Sequence, residues 1–292
     1  MGVRCDCHVH VVAPNGSGMV ANRLYTPGAA GLETLREAAG PLGVGRFVVV
    51  QPSFYGTDNR VTVQALRALQ GRGRGVAVID PARTHDAMLL GLHEAGVCGL
   101  RINLYNTLAK PTVGAERRML EQEFGATAAV AARVGWHVEV LAGLAEVVEH
   151  AALLASSAVP VVIDHYGLYG GFAPESWEGE TLLWLLVHPH VWIKLSAPYR
   201  SEADPLAVRA DAGWMAALLR VAPERCVWGS DWPHTPPHEL QTGGGEPNPT
   251  PLAYRALGYE DVLRGFVEAV GDEALAERIL VENPTRLYGF PA

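Results

Sequence analysis

Arg4-Cys5-Asp6-Cys7-His8-Val9-His10-Val11-Val12 opens the chain as a short run of alternating small, branched and imidazole side chains, and its reading governs the rest. Such a run, bounded by turn residues, reads as a β-strand. Similar runs recur at 47–51, 75–80, 99–104, 137–141, 159–165, 191–196 and 226–231, making eight in all. Between them lie stretches rich in Ala, Leu, Glu and Arg, which predict helices at 33–39, 61–70, 86–95, 116–134, 145–155 and 211–221. Strand and helix in alternation mark parallel βα units, and eight strands favour closure. The fold class predicted is α/β, a single (β/α)8 TIM barrel spanning 1–292 as one domain.

In such barrels the chemistry sits where strands end, at the C-terminal mouth. Alternation along the first run puts Asp6, His8 and His10 on one face, with Cys5, Cys7 and Val9 on the other. Barrel interiors are normally filled by branched apolar groups, so two inward imidazoles and a carboxylate call for a metal, water or substrate. The same alternation groups Val161, Ile163 and His165, and then Val227, Gly229 and Asp231. A lone strand-end His or Asp is more often a hydrogen-bonded core or turn residue. Here His8, His10, His165 and Asp231 all map to one mouth, and they are the candidate catalytic set.

The Gly-rich run Gly71-Arg72-Gly73-Arg74-Gly75 precedes a strand and opens no helix, so it reads as a turn and not a phosphate cradle. The irregular stretch 232–251 follows the last strand, where a cover over the site belongs. The net charge of −8 gives no basic footprint for nucleic acid or an anionic membrane surface, and no apolar run approaches the length of a membrane span. The expectation is a cytoplasmic protein acting on a small molecule. Cys5, Cys7, Cys98 and Cys226 show no CxxC spacing and read as reduced thiols.

Asp6-Cys7-His8-Val9-His10, Ile163-Asp164-His165, Gly229-Ser230-Asp231-Trp232-Pro233-His234 and the closing Asn283-Pro284-Thr285-Arg286-Leu287-Tyr288-Gly289-Phe290 together resemble the amidohydrolase superfamily, in its amidohydrolase 2 branch. Val50-Gln51-Pro52-Ser53, Gly99-Leu100-Arg101-Ile102-Asn103 and Lys194-Leu195-Ser196-Ala197-Pro198-Tyr199-Arg200 are similar to the 2-pyrone-4,6-dicarboxylate lactonases and related sugar lactonases. That resemblance implies a lactone hydrolase in which Ser53, Arg101 and Arg200 hold substrate carboxylates. Arg suits this, because its planar fork of donors matches a carboxylate. One departure stands out: the resemblance implies a second Arg or Lys soon after Arg101, where this chain has Tyr105-Asn106-Thr107 and then Lys110. The fifth run carries Glu139, where many metal-binding members of the superfamily have a further ligand.

Two versions of the chemistry stay open. His8, His10, His165 and Asp231 suit one divalent zinc or manganese ion, which would lower the pKa of bound water from about 15.7 towards 7. The lactonases resembled work instead with no metal. In either version Asp231 acts as general base on a water that attacks a polarised carbonyl. Another reaction class is a metal-dependent decarboxylase or hydratase of a muconate-like acid, and a third reading is a silent barrel that only binds a ligand.

Overall fold

The computed structural model describes residues 2–14, 16–21, 23, 25–104, 115–236 and 250–291. Eight parallel strands follow one another around the sheet: β1 (Arg4–Val9), β2 (Val44–Val50), β3 (Gly73–Ala77), β4 (Val97–Asn103), β5 (His137–Leu141), β6 (Val161–Ile163), β7 (Val191–Ser196) and β8 (Cys226–Gly229). Closure comes where β1 meets the end of β8. His8 O accepts from Asp231 N at 2.9 Å, and His10 N donates to Trp232 O at 2.8 Å. Helices α1 (Leu32–Ala39), α2 (Arg60–Ala68), α3 (Asp86–Glu94), α4 (Ala115–Val134), α5 (Leu144–Glu149), α6 (Ala151–Ala155), α7 (Trp177–Leu185), α8 (Ala212–Val221) and α9 (Tyr259–Val270) form the outer layer of the (β/α)8 barrel.

Paired residues of a parallel sheet share a face, so the register Arg101↔Glu139↔Val162↔Trp192 defines a row pointing into the barrel. The lower lumen is filled by Cys5, Cys7, Val48, Val50, Val76, Val162, Trp192 and Val227, and Tyr288 and Phe290 close it from below. Arg46 and Arg74 stack on the Phe290 ring at 5.3 and 4.7 Å, fixing this plug. Alternate strand residues such as Val49, Ile163, Leu195 and Trp228 face outward and pack with Leu35, Leu66, Leu182 and Phe266 of the helices. Each such side chain, fully buried, contributes roughly 1.5–3 kcal/mol. Because the bottom is plugged, the only polar end of the lumen among the described residues is the C-terminal mouth.

Four expectations are corrected. Asp6 does not share a face with His8 and His10: the pairs Asp6↔Phe47 and Val9↔Val49 set three steps of β1 against two of β2, a β-bulge. The extra residue lets both Cys7 and His8 point inward and turns Asp6 outward, where Oδ1 accepts from His8 N at 3.1 Å and Ser230 N at 2.9 Å and Oδ2 from Tyr259 OH at 2.8 Å. In β6 the inward residue is Val162, not Val161 or Ile163, and extended geometry ends before His165, whose φ is 50°. The helix read at 145–155 is broken at His150, whose φ and ψ of −105° and 13° leave the helical region between α5 and α6. Gly71 turns with φ 85° ahead of β3, at the end of the barrel remote from the histidines, but the rest of the run read as a turn is not one: Gly73, Arg74 and Gly75 already belong to β3, which starts two residues earlier than expected. The stretch 232–251 lies outside the described residues from 237 to 249, as do Tyr105, Asn106, Thr107 and Lys110.

Candidate active site

Closure of the barrel builds the site. The two hydrogen bonds that join β1 to β8 come from His8, His10, Asp231 and Trp232, so the seam itself sets Asp231 beside the two imidazoles. A side chain at 229 does not fit without moving β1, since a Cβ would lie 2.6 Å from His8 Cβ and 2.9 Å from His8 N. Of the seven described non-glycine residues with positive φ, six (His165, Tyr166, Leu168, Ala197, Asp231 and His234) follow β6, β7 or β8. Each such conformation costs on the order of 1–3 kcal/mol. Their concentration at one mouth aims His165 and Asp231 back over the lumen.

Around Asp231 the two carboxylate oxygens differ. Oδ2 accepts from Tyr199 OH at 2.7 Å and from Arg200 Nη2 and Nε at 2.8 and 3.2 Å. Oδ1 has no hydrogen-bond partner and faces three imidazole nitrogens: His10 Nε2 at 3.5 Å, His8 Nε2 at 3.6 Å and His165 Nε2 at 4.0 Å. His165 is steadied through Nδ1 by Ser196 Oγ at 2.8 Å. The four predicted catalytic residues thus converge on one oxygen.

Beneath them lies a buried charge network in which the sequence reading names Arg101, for substrate, and Glu139, at the position of a further metal ligand, but gives no role to Lys194 or Asp164. Lys194, on β7, contacts Glu139 Oε2, lies 3.4 Å from Asp164 Oδ1 and donates to His8 Nδ1 across 3.1 Å. Arg101 Nη2 donates to Asp164 Oδ2 at 3.2 Å and Nη1 to Gln51 O at 3.3 Å, and its Nε lies 3.7 Å from Glu139 Oε1. Three carboxylates (Glu139, Asp164, Asp231) here meet three cations (Lys194, Arg101, Arg200). The signal was present: a Lys inside the apolar strand Val191-Trp192-Ile193-Lys194-Leu195-Ser196 must have an anionic partner, because an unpaired buried charge costs several kcal/mol.

The electrostatics follow from burial and these pairs. Burial alone would push Asp231 up, but Arg200 and the imidazoles hold it well below the usual carboxylate range. His8 is driven well below the usual imidazole range by burial and then by Lys194, and His165 falls to about 3, chiefly from burial. Burial and the neighbouring Asp164 push Glu139 up, against Lys194. Burial opposes the charge on Lys194, yet Asp164 and Glu139 together raise its pKa. At neutral pH Asp231 is therefore ionised and faces the neutral rings of His8 and His165.

A cleft above this cluster is lined by His10 and His165 below, by Tyr25, Ser53 and Leu141 at the sides, and by Arg101, Arg200 and Thr235. All three residues predicted to hold substrate carboxylates line it. Two of them are already engaged, Arg101 with Asp164 and Arg200 with Asp231 and Thr235. Tyr25 and Tyr199 were missed. Tyr199 lies in a motif the resemblance quoted, whereas Tyr25 sits in the irregular segment after β1, where neither period nor strand end marks it. A wider cleft lined by Arg36, Val44, Phe47 and Arg72 sits at the N-terminal ends of β2 and β3 and holds none of these residues.

Spacing alone suits a metal: ligand atoms of His8, His10 and Asp231 lie within 4.8 Å of one another, and His8 Nε2 and Asp231 Oδ1 are buried without partners. The bonding does not. An ammonium only donates, so His8 Nδ1 accepts from Lys194 and the ring proton is assigned by this network to Nε2, which then has no lone pair to offer. A second grouping of His8, Asp164 and His165 meets the same ammonium, 3.4 Å from Asp164 Oδ1. As bonded, the residues present do not fit a divalent ion held by His8.

The sequence matches the amidohydrolase family over residues 5–290. It is 30% identical to a 2-pyrone-4,6-dicarboxylate hydrolase of Comamonas testosteroni over 300 aligned positions, covering 97% of this chain and 89% of that one. It is likewise 30% identical to a 4-sulfomuconolactone hydrolase of Rhizobium radiobacter, with 97% and 89% covered. Among solved structures, a probable 2-pyrone-4,6-dicarboxylic acid hydrolase of Acinetobacter baumannii with citric acid bound superposes with a TM-score of 0.76 at 28% identity, covering 99% of this chain and 100% of that one.

Proposed function

The chain belongs to the amidohydrolase family, and from that premise we propose that it is a hydrolase opening a small carboxylated lactone, of the 2-pyrone-4,6-dicarboxylate or sugar-acid kind, to a hydroxy acid. The observation that carries the reading is the asymmetry of Asp231: Oδ2 is anchored by Tyr199 and Arg200, while Oδ1 is free and faces His8, His10 and His165. Asp231 Oδ1 takes a proton from water as the water oxygen bonds to the lactone carbonyl carbon. The carbonyl electron pair moves onto oxygen, where imidazole N–H donors stabilise it. Collapse of this adduct breaks the ring C–O bond, and the leaving alkoxide takes the proton held by Asp231. Ser53, Arg101 and Arg200 line the cleft as the groups for substrate carboxylates.

A strongly ionised carboxylate is a weak base, because the drive for proton transfer falls with its pKa. A substrate carboxylate that draws Arg200 off Asp231 would raise the basicity of Oδ1, so attack on the ring would be linked to occupancy. The decarboxylase or hydratase alternative needs a divalent ion, and the bond from Lys194 to His8 speaks against it. The deciding experiment is a panel of carboxylated and neutral lactones, beside muconate-like acids, with proton release followed by a pH indicator before and after chelation. Release from carboxylated lactones, unchanged by chelator, is expected. Silence on every lactone, with metal-dependent loss of a muconate-like acid, would overturn it.

A further inference from the structure

We propose that Lys194 is a positioning residue that locks His8 as a hydrogen-bond donor into the cleft, so that the two histidines at the end of β1 hold opposite tautomers and divide the reaction between them. The inference rests on the lactonase reading. Lys194 Nζ is 3.1 Å from His8 Nδ1, and two carboxylates keep the ammonium there, Glu139 by direct contact and Asp164 at 3.4 Å. An ammonium has no lone pair, so His8 Nδ1 accepts and Nε2 carries the proton. His10 is bonded the other way. Its Nδ1 lies 2.8 Å from Val50 O, which only accepts, so Nδ1 carries the proton and Nε2 presents a lone pair.

The two rings therefore face the cleft with opposite character. His10 Nε2 and Asp231 Oδ1 are both acceptors, 3.5 Å apart, and a water that gives one proton to each is bound and oriented by the pair. His8 Nε2–H, buried and without a protein hydrogen-bond partner, is the donor beside them. It meets the oxygen on which negative charge develops, while the water between His10 and Asp231 loses its proton to Asp231. Without Lys194, the nearest groups to His8 Nδ1 are Asp164 Oδ1 at 3.4 Å and Glu139 Oε1 at 3.8 Å, both acceptors. The proton would then move to Nδ1, and Nε2 would turn a lone pair towards the substrate carbonyl.

The test is the tautomer of each ring, read by long-range 15N–1H correlation on full-length protein labelled at histidine, with His8→Gln and His10→Gln used to assign the signals. The wild type should show Nε2–H at His8 and Nδ1–H at His10. The double variant Glu139→Gln/Lys194→Met, which keeps the net charge, should move His8 to Nδ1–H and lower kcat on a carboxylated lactone about 10²-fold. Its KM should stay within about threefold, since transition-state and not ground-state binding is lost. His8 found as Nδ1–H in the wild type overturns the proposal even if the variant does not fold, and so does a variant that keeps Nε2–H or retains kcat within about threefold. A wild type that opens no lactone yet shows the two tautomers supports the lock and overturns the functional reading instead.

Discussion

Arg200 sets Nη2 and Nε 2.8 and 3.2 Å from one and the same oxygen of Asp231, Oδ2, and leaves Oδ1 to the three imidazoles. On the proposed mechanism, the pair fixes which oxygen reacts. It also makes the clamp expected for substrate part of the machinery that holds the base.

Replacing Asp231 with Asn keeps the volume but removes the proton acceptor. Turnover of the best lactone should fall at least about 10²-fold. Stability should fall as well, because Arg200 loses a buried partner. Steady-state kinetics beside a thermal melt separates the two effects, and an Asn variant within a few-fold of wild-type kcat would remove Asp231 from the role of base.

The two arginines should differ although both line the cleft. Arg101 bridges two buried carboxylates that also share Lys194, so Arg101→Ala removes a charge-assisted bond without stranding Asp164 or Glu139 and should cost about 1.5–3 kcal/mol of stability. Arg200→Ala strips buried Asp231 of the one guanidinium or ammonium bonded to it among the described residues, so it should cost more, about 3–5 kcal/mol, besides weakening carboxylated lactones by a charge-assisted contact of about 1.5–3 kcal/mol. Neutral lactones should also lose some rate through the loosened Asp231. Denaturant titration and kcat/KM on a charged and a neutral lactone check this, and equal melting shifts for the two variants would contradict it.

Asp6 offers a pH signature away from the chemistry. Burial raises its pKa from 3.8 to about 6, against hydrogen bonds from Ser230, His8 and Tyr259 that lower it. The folded state thus holds this proton more tightly than the unfolded chain. Its contribution is full below about pH 4 and is lost as pH rises through about 6, a change of about 3 kcal/mol. Asp6→Asn, which stays neutral, should flatten the stability profile between pH 4 and 6. An unchanged profile in urea titrations across that window would show that Asp6 does not titrate there.

The sequence legibly carried the barrel, since strand runs and helical stretches alternate with little ambiguity, and runs 137–141 and 191–196 match β5 and β7 end to end. It carried His8, His10, His165 and Asp231 as well, but partly for the wrong reason. Period-2 alternation cannot register a bulge, so Asp6 was assigned inward, and it cannot register a left-handed residue, so His165 was reached through Val161 and Ile163. Asp164 and Lys194 escaped because their meaning lies in pairing across three strands. Helix α7 escaped because Trp177 and Trp184 stay largely exposed, so its apolar residues form no single stripe.

Gly229 tests whether the seam positions the site. Its missing Cβ is what allows β8 to run against His8, since an added methyl would meet His8 Cβ at 2.6 Å and the His8 backbone N at 2.9 Å. A backbone atom cannot rotate away, so Gly229→Ala must push β1 and the end of β8 apart. Overpacking of this kind costs about 1–3 kcal/mol. The catalytic effect should exceed what that loss of stability explains, because the bonds from Asp231 N to His8 O and from His10 N to Trp232 O cross the same seam and set the spacing of Asp231 Oδ1 from the imidazoles. Measured well below its melting temperature, the Ala variant should be fully folded by circular dichroism and still show kcat reduced about 10²-fold, since a displacement of 1 Å at a reacting group is worth that much. A folded Gly229→Ala protein with wild-type kcat would mean that the contact between β8 and His8 supports the barrel alone.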